Sequence, residues 1–396
     1  MMFHKMPLIL LLMILAVLGL NSFIPLEIKQ ILYAVSLTIK SGIIFILPLI
    51  IFGLLFKTMV SLAQRATWII GLVIICVCCS NAFSTFLSHF VGAWIYQFDL
   101  SLVLPQDGSS LLPAWSWQLP KLIANDKAMF AGVGLGILMA RLAPNVAVPI
   151  AENLDKLISA LLNYFVYFIP VFVLGFVVKM QFDGVMATII KDYGIIFVMI
   201  GLAQFSYIFL AYIVLSHLRP RLGWQRVKNM LPAALTGFST MSSAAAMPLT
   251  MAGAERNSDN KDLAKAVIPA TVNIHLVGDC FAIPILAYAV MKSFGVPAPD
   301  IATYMIFVFY FVIAKFSVAA IPGGGIMVML PILESHLGFN SSMLSMITAL
   351  YILFDPVITS ANVLGNGAFA CLIDKLSTAT QRVRRYFFAQ EAEVNS

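Results

Sequence analysis

Residues 319–331 read AAIPGGGIMVMLP, a Pro-Gly-Gly-Gly turn in the middle of an apolar stretch. The turn frees several backbone amides and carbonyls, and lipid offers them no partner. Such a break is tolerated at membrane depth only where protein or a water-filled cavity receives the freed groups. Residues 301–333 are therefore read as two apolar arms joined by a tip, a re-entrant helical hairpin. Residues 226–254 are read the same way. They contain LPAALTGFSTMSSAAAMPLTMAGA, too rich in Ser, Thr, Ala and Pro for contact with lipid.

The rest of the chain supports a membrane setting. Of 396 residues, 61% are hydrophobic and 11% charged, and the mean hydropathy is +0.96. A water-soluble domain does not have that composition. Apolar runs of 18 or more residues recur from end to end, whereas a membrane barrel shows alternating segments of about 10 residues. The expectation is an all-α polytopic membrane protein with eight transmembrane helices, over 7–24, 38–61, 67–97, 127–142, 150–180, 193–217, 263–292 and 341–380, plus the two hairpins. Several spans exceed the ~20 residues of a straight crossing and must tilt or extend past the lipid. The first follows His4 and Lys5 as a signal peptide would, but no small-residue cleavage site follows it, so it is kept as a helix.

Charge and cysteine usage narrow the classes further. The net charge of +6 is modest and reports loops, so nucleic-acid binding is a poor reading. Lys57 and Arg65 join spans two and three; Arg219, Arg221, Arg226 and Lys228 precede or open the first hairpin; Arg382, Arg384 and Arg385 lie near the C-terminus. The opposite side carries Asp99, Asp107, Asp126 and Asp300. The positive-inside rule then puts both termini in the cytoplasm. Cys76, Cys78, Cys79, Cys280 and Cys371 all fall in apolar runs, which suits packing rather than disulfides or a metal. His89, five residues before Trp94, reads as a packed or interfacial histidine.

The second half repeats an order of elements. A small-residue tip, SSAAAMP at 242–248, is followed by a polar helix segment, NIHLVGD at 273–279. A second tip, IPGGG at 321–325, is followed by DPVITSANVLGN at 355–366. Two interrupted segments at corresponding places point to a transporter site at an inverted-repeat interface. Asp355, Thr359, Asn362 and Asn366 are spaced by 4, 3 and 4, so they share one helical face. An ionised carboxylate there needs a cation: a substrate ammonium, a metal ion, or Lys315. The plain alternative is an internal salt bridge that only holds helices together. Ser242 and Ser243 offer hydroxyls and turn amides that suit a carboxylate group; small-residue packing is their bland alternative.

SSAAAMP, N-x-H in a broken helix, IPGGG and D-x-x-x-T-x-x-N-V-x-G, in that order, resemble the dicarboxylate/amino acid:cation symporter family of glutamate-transporter homologues. The PLIIFGLL and FIPVFVLGF runs extend the likeness over nearly the whole chain. The resemblance implies an elevator-type transporter assembled as a homotrimer. Residues 1–66 and 127–180 would form the scaffold, as helices one, two, four and five. The mobile transport domain would comprise helix three (67–97), helix six (193–217), hairpin one (226–254), broken helix seven (263–292), hairpin two as gate (301–338) and helix eight (341–385).

It also implies roles for residues. Asp355 stands where the family binds the substrate's α-ammonium and Asn362 where it meets the α-carboxylate; Ser242, Ser243, Ile321, Gly323 and Thr359 complete the expected substrate site. Acidic-substrate members carry an Arg in the last helix or the first hairpin, but Ile358 and Met241 occupy those positions here. Without a guanidinium fork for a second carboxylate, the expectation is a neutral amino acid. Two sodium-binding carboxylates of the family correspond to His275, two residues after Asn273, and to Asn366. His275, Asp279 and Lys315 are therefore expected to carry a proton in place of sodium, His275 and Asp279 being four apart and neighbours on a regular helix. A His275 that only donates to a freed carbonyl is the alternative, and Lys315 is open to pairing with Asp355 or Asp279.

The competing functional readings are a sodium-coupled glutamate, aspartate or dicarboxylate symporter, and a ligand-binding sensor that does not transport. A channel lacks a ring of charge or filter-like sequence. An enzyme lacks paired carboxylates, a Ser–His arrangement or metal-cluster spacing outside these motifs. No cofactor is expected beyond the coupling cation; membrane lipids and the substrate are the expected partners. The lack of a long extracellular domain and of eukaryotic-style targeting signals suggests a bacterial inner membrane.

Overall fold

The computed structural model describes residues 6–64, 68–98, 111–117, 119–120, 123–184, 186–318 and 323–394. Arg65, Asp99, Asp107, Ile321 and Pro322 lie outside them. The described residues form fourteen α-helices: α1 (Met6–Leu20), α2 (Leu26–Gln64), α3 (Trp68–Ile95), α4 (Asn125–Leu142), α5 (Pro144–Val166), α6 (Ile169–Phe182), α7 (Met186–Leu215), α8 (Pro220–Thr240), α9 (Ser243–Asn257), α10 (Lys261–Thr271), α11 (Val277–Ser293), α12 (Ile301–Lys315), α13 (Gly324–Leu337) and α14 (Ser341–Val394). A short 3₁₀ turn, Asn21–Phe23, joins α1 to α2.

Among these residues, helices spanning 26–61, 71–95, 191–215 and 341–378 are long and apolar enough to cross a membrane. Shorter apolar helices cover 12–23, 170–182, 301–315 and 324–337. The chain is a multi-pass membrane protein, but the eight expected spans are not eight unbroken helices. Residues 150–180 divide between α5 and α6 at Tyr167 and Phe168. Pro170 has no N–H for the carbonyl four residues earlier, so it ends one helix and sits in the first turn of the next. Helix α2 starts twelve residues before the expected 38, because the polar opening turns around Glu27, Lys29 and Gln30 are good helix formers even where they are poor lipid-facing residues. Lys57, near the end of α2, pairs with Asp155 of α5 at 2.7 Å. Arg226 is likewise structural: from α8 it donates to the Leu215 carbonyl (2.8 Å), closing the end of α7.

Burial separates lipid-facing helices from those at the centre. Only 22% of the apolar window of α7 is buried, and Ile195, Val198, Leu202 and Leu210 point outward. In α14 the figure is 83%, and α11 is buried at every residue from Val277 to Met291. A helix apolar on all sides belongs at the centre of the packing, and α11 packs against α3, α7 and α14. Helix α2 packs against α4, α5 and α6. Glycines allow close approach there: a Cβ on Gly132 would lie 2.7 Å from the Phe52 carbonyl oxygen. Cys280 and Cys371 are buried, Cys76 and Cys78 half-buried, and all five cysteines are free. Cys79 departs from the packing expectation, since it is exposed on the outer side of α3. His89 is packed, its Nδ1 2.6 Å from the Tyr288 hydroxyl and its ring against Tyr304.

Two helix–turn–helix units reach the centre. Between α8 and α9, Met241 adopts a left-handed conformation (φ 52°) and Ser242 caps α9 by accepting the Ala245 N–H. Between α12 and α13, Gly323 is left-handed (φ 71°), a geometry that favours glycine. Helix α10 stops at Thr271 and α11 starts at Val277, leaving residues 272–276 irregular. Helix α14 continues unbroken through Pro356.

Candidate functional site

The two tips, the 272–276 interruption and the middle of α14 converge on one small cavity of about 20 Å³, which holds about one water. Met241, Ser243, Asn273, Asp279, Asp355, Thr359 and Asn362 are among its walls. Asp355 is 3% exposed. One carboxylate oxygen accepts the Gly323 N–H at 2.7 Å and the other accepts the Thr359 hydroxyl at 2.9 Å. Both donors are neutral.

Asp279 has a different environment. Lys315 donates to its Oδ2 at 2.7 Å, and the two side chains are 0% and 1% exposed. Tyr351 donates to Oδ1 at 2.9 Å and the Asn362 amide at 3.2 Å. The Lys315 ammonium also lies 4.7 Å from the centre of the Phe311 ring, over its face. Of the two carboxylates Lys315 was open to, it pairs with Asp279. Asn362 is engaged at both ends, because its carbonyl accepts the Gly278 N–H at 2.8 Å and so caps the start of α11.

His275 and Asp279 are not the neighbours that a regular helix would make them. His275 belongs to the irregular segment, and Asp279 to the first turn of α11. The Nε2 of His275 is hydrogen-bonded to Ser80 Oγ (2.9 Å) and its ring packs on Phe369. The plain alternative for His275 fails too: freed carbonyls of the interruption are taken by other side chains. Asn81 donates to the Ile274 carbonyl at 2.7 Å, and Asn366 to the His275 carbonyl at 3.2 Å. The face Asp355–Thr359–Asn362–Asn366 is thus buried as one row, but it serves two neighbourhoods: the cavity at one end and the helix interruption at the other.

The remaining expected residues are distributed as follows. Met241 and Ser243 line the cavity, while Ser242 is half-buried and caps α9. Asn273 lines it as well and is exposed. Ile358 is fully buried and is not among the cavity walls, so it does not meet an occupant directly. Ile321 lies outside the described residues. Sequence reasoning missed Ser80, Asn81 and Tyr351. Ser80 and Asn81 were visible as a polar pair within the apolar 67–97 run, and Tyr351 is four residues before Asp355, on the same face. The close packing of two glycines was not read from the sequence. A Cβ on Gly325 would lie 2.4 Å from Asp279 Oδ2, and one on Gly278 2.4 Å from the Ile358 carbonyl oxygen. Gly278→Ala is expected to cost about 1–3 kcal/mol of stability through this overpacking. Thermal or denaturant unfolding in detergent measures it against Gly134→Ala, where a Cβ meets nothing within 4 Å.

Paired helix–turn–helix tips around buried carboxylates, in a chain of apolar helices, are the architecture of a membrane transport protein. The family model of the sodium:dicarboxylate symporter family matches residues 127–376, and the chain belongs to that family. It is similar to the serine/threonine transporter SstT of Acinetobacter baumannii (strain AYE), 24% identical over 261 residues, or 63% of this chain and 64% of the relative. It is also similar to the human excitatory amino acid transporter 1, 26% identical over 235 residues, or 57% of this chain and 42% of the relative. The chain thus matches less than two thirds of the length of either relative. Membership of a symporter family makes it a transport-family protein rather than an enzyme.

Proposed function

We propose that the chain is a secondary transporter of a neutral amino acid, with Asp355 holding the substrate's ammonium group. The observation that carries this reading is the unequal neutralisation of two buried carboxylates. Asp279 has Lys315 against it; Asp355 has a backbone N–H and a hydroxyl. A buried carboxylate surrounded by neutral donors is stabilised by a cation, and a substrate ammonium supplies one. Ser243, at the first tip, lines the same cavity and is taken to hold the substrate carboxylate. Among the described residues, no arginine is on the cavity walls, which leaves a second carboxylate without a guanidinium partner. The serine/threonine transporter among its relatives is named for two neutral amino acids, in line with this preference.

For coupling, the proposal is a proton. His275 and Asn366, the counterparts of the family's sodium-binding carboxylates, lie side by side. Among the described residues the His275 Nδ1 has no hydrogen-bond partner. The imidazole also borders a separate space of about 80 Å³ between α3, α7 and α14. Lys315 serves as a tethered cation beside Asp279. Sodium coupling is the second reading, favoured by the family's own description.

A cavity of about 20 Å³ excludes an amino acid, so a tip must move, and hairpin two (301–338) is proposed as the gate. The grouping of α11 with α3, α7 and α14, and of α2 with α4, α5 and α6, suits a transport domain that rides against a scaffold by an elevator movement. The two hairpins are taken as re-entrant, the assembly as a homotrimer, and the setting as a bacterial inner membrane with both termini cytoplasmic.

Uptake into proteoliposomes tests the proposal, with neutral amino acids, acidic amino acids and dicarboxylates as competitors and with sodium and pH gradients imposed separately. Neutral amino acids are expected to compete, and an inward proton gradient to drive accumulation. Sodium stimulation that survives a collapsed pH gradient would remove the proton reading. Binding without accumulation would make the chain a sensor.

A further inference from the structure

We infer that a second cavity, between α2, α6 and the start of α14, binds an anionic amphiphile. Its volume is about 310 Å³, within the range of small-molecule sites. It shares no wall residue with the cavity at Asp355.

Lys40 is its chemical centre. The side chain comes from the middle of α2 and is 7% exposed. Its ammonium donates to the Ser341 carbonyl at 2.6 Å and to Ser345 Oγ at 2.7 Å. Both acceptors are neutral, and both belong to the opening turns of α14, the end of a helix that carries partial positive charge. No carboxylate lies within ion-pairing distance of Lys40 among the described residues. Glu334, on α13, attracts it at longer range. The other charges on the cavity wall are Lys179 and Asp183, which are in direct contact with each other. Asp183 also accepts the Leu111 N–H at 2.9 Å. On the cavity wall, the balance is one buried positive charge set beside a positive helix end. A charge taken out of water without a counter-ion is costly, and an anion offsets that cost.

The remaining walls define the rest of the occupant. Leu37, Phe176, Met180, Phe294 and Met346 give the cavity an apolar lining. The fitting molecule has one anionic head at Lys40 and an apolar body along these side chains. A free fatty acid and an anionic lipid share that chemistry.

The test uses the purified full chain in a neutral detergent. Calorimetric titration compares octanoate with octanol, which lacks the charge, and with acetate, which lacks the tail. A parallel arm measures retention of phosphatidylglycerol against phosphatidylcholine by native mass spectrometry. The expected result is saturable binding of octanoate or of phosphatidylglycerol, about tenfold or more tighter than its control, and the arm that responds identifies the source. Lys40→Gln is expected to weaken that binding about tenfold or more. Met346→Trp keeps the charge but fills the cavity, and is expected to abolish binding even if the Lys40 variant folds poorly. Binding in neither arm, equal binding of charged and neutral probes, or unchanged binding in both variants overturns the inference.

Discussion

Asp355→Asn is expected to remove substrate binding and uptake while leaving the protein folded. Asparagine has nearly the same shape: its carbonyl oxygen can still accept the Gly323 N–H, and its NH2 can donate to the Thr359 hydroxyl oxygen, which then accepts instead of donating. The change therefore isolates the charge. Truncating one partner of a buried, hydrogen-bonded charge pair costs about 2–5 kcal/mol, which corresponds to roughly 30-fold to several thousand-fold in affinity. Equilibrium binding and proteoliposome uptake measure the loss. Stability without substrate is expected to be no lower than in the parent, because a charge buried among neutral donors has been replaced by a neutral group. Unchanged uptake in the variant would remove Asp355 from the site. A variant that loses uptake because it unfolds would show in the melting curve.

How much of this was legible in the sequence varies with the kind of signal. The tip at Gly323 was readable because a Pro-Gly-Gly-Gly run inside an apolar stretch has few structural solutions in lipid. The row Asp355–Thr359–Asn362–Asn366 was readable because spacing on a regular helix fixes the face. The same rule misled at His275 and Asp279. Their spacing is also four, but the helix is interrupted between them, and periodicity has no meaning across an irregular segment. What holds the interruption, Ser80 and Asn81, comes from nearly two hundred residues earlier in the chain. Only the packing of α3 against α11 brings them there. Choosing between Asp355 and Asp279 as the partner of Lys315 had the same difficulty, because it depends on how α12 sits against α11 and α14. Span lengths were misjudged where hydropathy alone was used. The polar opening of α2 is helical, and Pro170 divides a run that is apolar throughout.

Lys315→Met is expected to be the most destabilising single change at the site, by about 3–5 kcal/mol, since it leaves Asp279 buried and without its cation. The magnitude follows from burial. The pair Lys57–Asp155 has the same 2.7 Å separation, but its side chains are 43% and 30% exposed, and breaking it is expected to cost no more than about 1 kcal/mol. Tyr351 and Asn362 still donate to Asp279 in the Lys315 variant, but they do not replace a positive charge. The double change Lys315→Met with Asp279→Asn is expected to recover most of the loss, because an apolar or neutral replacement of a whole buried pair is close to neutral in stability. Denaturant unfolding of the single and double variants checks this as a thermodynamic cycle. The same variant tests whether Lys315 acts as a tethered cation. With the ammonium gone, Asp279 is a carboxylate that needs a cation, and sodium ions are expected to stabilise Lys315→Met saturably, with choline of equal ionic strength ineffective. The double variant is expected to lose that sodium response. If sodium and choline act alike on Lys315→Met, the lysine is a structural partner of Asp279 and not a substitute for a bound ion.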